Sequence, residues 1–145
     1  MTRPYDLLVI GGGPAGVGGA LTVAQEGLRV ALVDGAARLG GQYFRHRAGE
    51  QPASPRFARQ CAALGSIATV LTNHQVWAIS RAEDDGLFVV HCLVAEPGGE
   101  RPVTLRATRV LIATGAHDRP LPFPGWDLPG VFTPGGAQAL LKGRA

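Results

Sequence analysis

The order of apolar and polar positions near the N-terminus predicts a strand, a helix and a second strand. Tyr5–Ile10 and Arg29–Asp34 are short runs made mostly of apolar residues, as in strands buried on both faces of a parallel sheet. From Ala15 to about Glu26 the apolar residues recur at helical spacing, and Gly27 supplies a C-cap. A strand, helix and strand in so short a stretch predict a right-handed βαβ unit.

The middle of the chain changes its pattern. Gly35–Pro55 is rich in Gly, Arg and Pro and predicts an extended loop, and Pro55–Leu64 predicts a short helix that ends at Gly65. The next segments predict three antiparallel strands joined by hairpin turns at Asp84–Gly86 and Pro97–Gly99. The three predicted strands are Ala68–Ile79, Leu87–Ala95 and Arg101–Arg106.

The last third begins with another buried strand, predicted over Arg109–Thr114. His117–Pro134 carries many prolines and predicts irregular structure, and a last helix is expected near Gly135. The fold class predicted by this order is α/β, with a Rossmann-type βαβ unit followed by a three-stranded antiparallel β-meander.

Composition narrows the function classes. The chain has 145 residues, 46% of them apolar, and a net charge of +3 with its arginines scattered singly. We therefore expect no nucleic-acid or membrane-surface partner. Cys61 and Cys92 lie far apart in unlike contexts, so we expect neither a metal site nor a disulfide, and both are predicted to be buried small residues. Without a signal peptide, a cytoplasmic chain is expected, associated with membranes only through partners.

The glycine-rich turn after the first strand carries the strongest chemical signal. Gly11, Gly13 and Gly16 occupy the three positions of GxGxxG. The first permits the tight turn, the second keeps side chains away from a pyrophosphate, and the third lets the helix approach the sheet. Pro14 and Ala15 open the helix, whose N-terminus directs unpaired N–H groups at the phosphates. These residues predict a dinucleotide site.

Asp34 closes the second strand about twenty residues further on, where an acidic residue binds a ribose hydroxyl in such units. The alternative is a turn residue at a strand end. NAD and FAD share the ADP half that this unit would hold, so the βαβ unit alone leaves both cofactors open.

A second motif points to FAD. Thr108–Gly115 ends in Ala113, Thr114 and Gly115, and the proline-rich Arg119–Gly125 follows. With the N-terminal glycine motif and the meander, this order resembles the pyridine nucleotide–disulfide oxidoreductase superfamily of flavoproteins over essentially the whole chain. The resemblance implies FAD as cofactor, with the ATG turn beside it. It also implies that residues 1–134 are part of an FAD-binding domain and that 135–145 begin a connection to a second nucleotide-binding domain.

Gly40, Gly41 and Gln42, followed by Arg45, are together with His117–Leu141 similar to the FAD-binding large subunits of opine oxidases, amino-acid dehydrogenases and hydrogen cyanide synthases. That similarity implies oxidation of the C–N bond of an amine or amino acid, with hydride transfer to FAD. It also implies that the partner is a second flavoprotein subunit. Gly41 and Gln42 are expected at the flavin side of the cofactor, although Gln42 also fits an exposed loop side chain.

Other interpretations stay open at this point. One is an NAD(P)H-dependent reductase of the same superfamily, and another is a non-catalytic nucleotide-binding fragment. Gln42–Glu50 contains no cysteine, which excludes the disulfide-reductase branch with its CxxxxC pair. His117 and Arg119 either approach the cofactor or serve as turn residues, and no catalytic residue can be assigned.

Two further expectations concern the chain as a whole. Members of the superfamily run to several hundred residues, so we expect an incomplete FAD-binding domain that binds FAD weakly and turns over poorly by itself. Trp77 and Trp126 are predicted to be packing residues and not a pair that stacks on the flavin.

Overall fold

A parallel sheet and an antiparallel sheet contain all strands of the described chain. The computed structural model describes residues 3–46, 49–50, 54–96 and 98–143. Its elements in chain order are β1 (Leu7–Ile10), α1 (Pro14–Gln25), β2 (Val30–Val33), α2 (Pro55–Ile67), β3 (Thr69–Leu71), β4 (His74–Arg81), β5 (Phe88–Glu96), β6 (Gly99–Ala107), β7 (Val110–Ile112) and α3 (Pro134–Gly143).

The parallel sheet has the strand order β3-β2-β1-β7, and the antiparallel sheet has the order β4-β5-β6. In the parallel sheet β1 lies between β2 and β7, with Ile10 opposite both Val33 and Ile112. The carboxyl ends of these three strands therefore meet at one edge. The predicted α/β class with a βαβ unit and a three-stranded meander is confirmed.

Both faces of the parallel sheet are buried at its central strands, which explains why β1 and β2 are uniformly apolar. One face packs against α1 and α2, and the other packs against the meander. The buried residues on the helix side are Leu7, Val9, Val17, Ala20, Ala24, Val30, Leu32, Phe57 and Leu64. Those on the meander side are Leu8, Ile10, Ala31, Val33, Val90, Cys92 and Ala107.

The predicted single strand Ala68–Ile79 is wrong, because the segment forms two strands in different sheets. Thr69–Leu71 pairs in parallel with β2, whereas the strand from His74 pairs antiparallel with β5. Asn73 separates them with a left-handed φ of 57°, a conformation that asparagine tolerates better than most residues. The chain thus leaves the first sheet and enters the second within two residues.

Smaller differences concern helix ends and burial. Helix α2 continues through Gly65 to Ile67, and Ser54 caps its start by accepting a 3.3 Å hydrogen bond from the N–H of Phe57. Both tryptophans, predicted to be packing residues, keep much of their surface in solvent: Trp77 is 63% exposed, with its ring 5.4 Å from that of His91, and Trp126 is 46% exposed.

Of the two cysteines only Cys92 is buried, whereas Cys61 on α2 is half-buried. Burial raises the pKa of both thiols. The predicted hairpin turn at Asp84–Gly86 is present, while Pro97 of the other turn lies outside the described residues. Within the described ranges, no helix combines the length and apolar character needed to cross a membrane.

Candidate dinucleotide-binding site

The glycine turn lies where β1, β2 and β7 end, and two of its glycines are required by close packing. Gly11 has φ +109° and donates a 2.8 Å hydrogen bond to the carbonyl of Val33. A Cβ on Gly11 would lie 2.3 Å from the carbonyl oxygen of Ala113, and one on Gly16 would lie 1.8 Å from the carbonyl oxygen of Gly11. Neither position can hold a side chain without moving the backbone.

Gly13 differs from its two neighbours, because the space beside it is open. A Cβ there would meet only the Cα of Gly41, at 3.9 Å. Gly13 is the N-cap of α1 in an extended conformation and has no side chain to occupy the helix N–H groups. Pro14 has no N–H, so the N–H groups of Ala15 and Gly16 are the first in the helix that lack an intrahelical acceptor. The turn therefore leaves room for an anion in front of the helix dipole.

Asp34 ties the end of β2 to the glycine turn. Its carboxylate accepts hydrogen bonds from the N–H of Gly12 and, at 2.7 Å, from the N–H of Ala36. A carboxylate has about four acceptor positions, so two remain for ribose hydroxyls. The ribose role stays a prediction. The hydrogen bond from Ala36 agrees with the alternative interpretation of Asp34 as a turn residue at the strand end, whereas the hydrogen bond from Gly12 is a role that sequence reasoning missed.

A cavity of about 420 Å³, the strand-end cavity, opens beside Asp34. Gly11 and Thr114 also line it, so the ends of β1, β2 and β7 all contribute. Ala113 continues the parallel pairing by donating a 2.8 Å hydrogen bond to the carbonyl of Ile10. Gly115, with φ +78°, is exposed and lines neither of the two cavities described in this structure.

The loop that holds Gly40 and Gly41 packs against the glycine turn. The N–H of Gly40 donates a 2.8 Å hydrogen bond to the carbonyl of Gly12. A Cβ on Gly41 would lie 3.1 Å from the Cα of Gly13, and both loop glycines have positive φ values, 137° and 57°. The structure therefore brings Gly41 to the glycine turn, while Gln42 is exposed to solvent beside it.

Gln42 lines a second and larger cavity of about 680 Å³, which we call the arginine cavity. It lies between residues 36–46 and helix α3. Its lining residues are Ala36, Ala37, Arg38, Leu39, Gly41, Gln42, Arg45, His46, Phe132, Gly136, Ala139 and Leu140. Sequence reasoning missed Arg38, and it singled out Arg45 only as part of a motif, without a role. The available signal was their position on either side of the Gly40–Gln42 loop.

Polar contacts hold helix α3 as the second wall of this cavity. At its start, the Asp118 carboxylate accepts a 2.9 Å hydrogen bond from the N–H of Gly135. The pKa of Asp118 is lowered mainly by its hydrogen bond with the Thr133 hydroxyl and, to a smaller extent, by hydrogen bonds from backbone N–H groups in the first turn of α3. At its end, the ammonium of Lys142 lies 2.6 Å from the carbonyl oxygen of Tyr43 and 4.9 Å from the centre of its ring.

His117 and Arg119 lie outside both cavities. The Nδ1 of His117 lies 2.8 Å from the carbonyl oxygen of Asp118, and Arg119 is exposed. This geometry agrees with their interpretation as turn residues.

Known proteins share both the sequence and the fold of this chain. The family model for pyridine nucleotide-disulphide oxidoreductases matches residues 5–142. A subunit of the opine oxidase of Agrobacterium tumefaciens is 38% identical over 95% of this chain, and hydrogen cyanide synthase subunit HcnB of Pseudomonas protegens is 34% identical over 93%. This chain covers 29% of the length of each.

The solved structures agree with the sequence relatives. L-proline dehydrogenase from P. horikoshii superimposes with a TM-score of 0.77 at 26% identity, over 97% of this chain and 28% of that one. The fold is therefore a flavin-binding one, and its relatives include subunits of larger oxidases and synthases. The chain belongs to the pyridine nucleotide-disulphide oxidoreductase family, a family of flavin-dependent oxidoreductases.

Proposed function

We propose that this chain is the FAD-binding part of an oxidoreductase that oxidises the C–N bond of an amine or amino acid within an assembly of several subunits. The observation that carries the proposal is the open space beside Gly13. This space lies in front of the N-terminus of α1 and borders the loop at Gly41. A pyrophosphate fits there chemically, because N–H donors and the helix dipole face it.

The neighbouring residues suit the rest of the ADP half. Asp34 keeps unused acceptor positions beside the strand-end cavity, whose volume of about 420 Å³ is typical of small-molecule sites. In this proposal Gly11, Gly13, Pro14, Ala15 and Gly16 hold the pyrophosphate. The other proposed cofactor-binding residues are Asp34, Gly41, Gln42, Ala113, Thr114 and Gly115.

The substrate class rests on the relatives. One is named an opine oxidase and another an L-proline dehydrogenase, and both names denote oxidation of compounds with C–N bonds. The sequence relatives are named as subunits, which supports a partner subunit; that this second subunit carries a flavin is part of the proposal. Since the chain spans under a third of these proteins, activity, substrate and partner all remain parts of the proposal.

In this proposal the cofactor and the residues of the chain have different roles. FAD, when bound, would accept the hydride of the carbon next to the substrate nitrogen, and loss of the nitrogen's proton to solvent would leave a C=N bond. The chain's own residues would bind and orient the cofactor: the helix N-terminus would hold the phosphates, Asp34 would hold the ribose, and the Gly41 loop would cover the turn. No described side chain is assigned as a general base.

The test begins with the cofactor. The purified chain is titrated with FAD and with NAD⁺, and released ligand is identified by mass spectrometry. We expect FAD to bind with one site per chain and more tightly than NAD⁺. Tighter binding of NAD⁺ would overturn the cofactor assignment.

The second step addresses the reaction. The assembly is isolated from its source through a tag on this chain, and its flavin absorbance is followed without oxygen. We expect an amino acid such as L-proline to bleach the flavin. Bleaching by NADPH alone would instead support an NAD(P)H-dependent reductase. Full activity of an assembly that carries Gly13→Ala in this chain would identify a non-catalytic subunit.

A further inference from the structure

We propose that residues 119–133, which we call the apolar loop, form the surface on which this chain docks another protein subunit. The inference rests on the proposed function, which requires an assembly of several subunits, and it names the surface that holds them together. It starts from side chains that the fold leaves uncovered. The large apolar residues exposed in this loop are Leu121, Phe123, Trp126, Leu128, Val131 and Phe132.

The exposed apolar area of the loop is large for a monomer. Its six large apolar residues are each between 41% and 68% exposed. At about 200 Å² for each side chain, they leave roughly 600 Å² of apolar surface in solvent. The largest apolar patch on a typical monomer covers about 300–600 Å², and a stable interface buries about 800 Å² on each partner. The loop therefore supplies most of one side of such an interface.

The loop is ordered, because hydrogen bonds close its base and tie its interior. Asp118 directly precedes it, and the carboxylate of Asp118 accepts a 2.9 Å hydrogen bond from the N–H of Gly135, just after its end. Inside the loop, the N–H groups of Trp126, Leu128 and Val131 each donate to the carbonyl three residues earlier, at 3.0–3.2 Å. Four prolines restrict its backbone further. The segment is thus a compact Ω-type loop, and little ordering entropy is lost when a partner binds it.

The charges of the loop favour a protein over a lipid surface. Arg119 and Asp127 are its charged residues, so its net charge is zero. Segments that bind membrane surfaces carry an excess of Lys and Arg, which this loop lacks. Lipid would also have to desolvate the carboxylate of Asp127, which adjoins Trp126 in sequence. A protein surface can instead offer an apolar pocket for Trp126 and a cation for Asp127.

The same carboxylate disfavours a second copy of this chain as the occupant. A contact between two identical loops is isologous, so each copy presents the same surface to the other. Asp127 lies near the middle of the loop, and a contact centred there would bring the two Asp127 carboxylates together. Like charges repel strongly in a partly desolvated contact. A different polypeptide, with a cation opposite Asp127, is therefore the better partner.

Photocrosslinking locates the surface in the intact assembly. The assembly is isolated through a tag on this chain, with p-benzoylphenylalanine in place of Trp126. We expect ultraviolet light to link this position to a different polypeptide that is present at one copy per chain. The matched control carries the same photoreactive residue in place of Ile67, which is 47% exposed on α2. It should give less than a tenth of that crosslink.

Variants measure how much the loop contributes to docking. Phe123→Ser and Trp126→Ser should each raise the Kd for the subunit recovered from the assembly at least tenfold, as expected when an interface loses an apolar anchor. Leu28→Ser is the control, because Leu28 is 45% exposed elsewhere on the chain, and it should leave this Kd unchanged. The Kd for FAD should be the same in all three variants, since none of these side chains lines a described cavity.

The inference is wrong if position 126 crosslinks to lipid, to a second copy of this chain or to a further part of the same polypeptide. It is also wrong if both serine variants bind the recovered subunit as tightly as the unaltered chain. These outcomes are independent of the reaction. Bleaching of the flavin by NADPH alone would remove the proposed function and leave the docking surface in place. Bleaching by L-proline without a crosslink at position 126 would do the reverse.

Discussion

Replacing Gly13 by alanine separates the cofactor role of the glycine turn from its structural role. The backbone of Gly13 has φ −73°, which any residue adopts, and a Cβ there would meet only one protein atom, at 3.9 Å. We expect the free energy of unfolding without cofactor to change by no more than about 0.5 kcal/mol. The new methyl group would instead occupy the space proposed for the pyrophosphate.

The expected effect on FAD binding follows from the hydrogen bonds that the methyl group displaces. A hydrogen bond to a charged phosphate contributes about 1.5–3 kcal/mol. Loss of one such bond raises the Kd roughly tenfold to hundredfold. The measurement is an FAD titration followed by flavin fluorescence, paired with thermal unfolding of the chain without FAD.

Gly16→Ala is the contrasting variant. Its Cβ would lie 1.8 Å from the carbonyl oxygen of Gly11, so the helix and the turn must move apart. We expect unfolding at lower temperature even without FAD, with a cost of about 1–3 kcal/mol. The reasoning is refuted if Gly13→Ala binds FAD as tightly as the unaltered chain, or if it lowers the unfolding temperature as much as Gly16→Ala.

Three further predictions concern stability. A Cβ on Gly18 in α1 would have no atom within 4 Å. Gly18→Ala should therefore stabilise the chain by about 0.5–1 kcal/mol in thermal unfolding, because alanine favours the helix. A lower unfolding temperature would contradict this. Phe57→Ala should lower the free energy of unfolding, measured in urea, by about 3–5 kcal/mol, because Phe57 is only 2% exposed and stacks on Phe44. The control Phe123→Ala, at an exposed position, should change it little. The lowered pKa of Asp118 means that its contribution to stability is present above the ordinary carboxyl pKa and is lost as the pH falls through the folded-state pKa. Amide exchange in α3 should therefore accelerate at low pH, and Asp118→Asn should remove that pH dependence. An unchanged pH profile in the variant would show that Asp118 does not stabilise the start of α3.

The parallel part of the fold was predictable because burial on both faces leaves a simple sequence pattern. β1 and β2 are continuous apolar runs, and the glycine motif fixes the turn between β1 and α1. The break between β3 and β4 was not predictable in the same way, because Ala68–Ile79 has no glycine or proline to interrupt it. Only the left-handed Asn73 marks the change of sheet.

The candidate site also has a part that was predictable from the sequence and a part that was not. Residues of the glycine motif and Asp34 are close in sequence to the elements that position them, so their convergence followed from the βαβ pattern. Arg38 and Arg45 lie in a loop, where arginines are usually solvated. Their shared cavity arises only because Gly40 packs on the glycine turn and α3 returns from far along the chain.

The hydrogen bonds that Asp34 and Gly40 make to Gly12 have a kinetic consequence. They hold the turn in place without a cofactor, so the entropy cost of ordering the turn arises during folding and not during association. A dinucleotide that binds as proposed would then meet a preformed turn, and its association rate would depend little on changes within the site. Differences in affinity between variants should accordingly appear as differences in how long the cofactor stays bound.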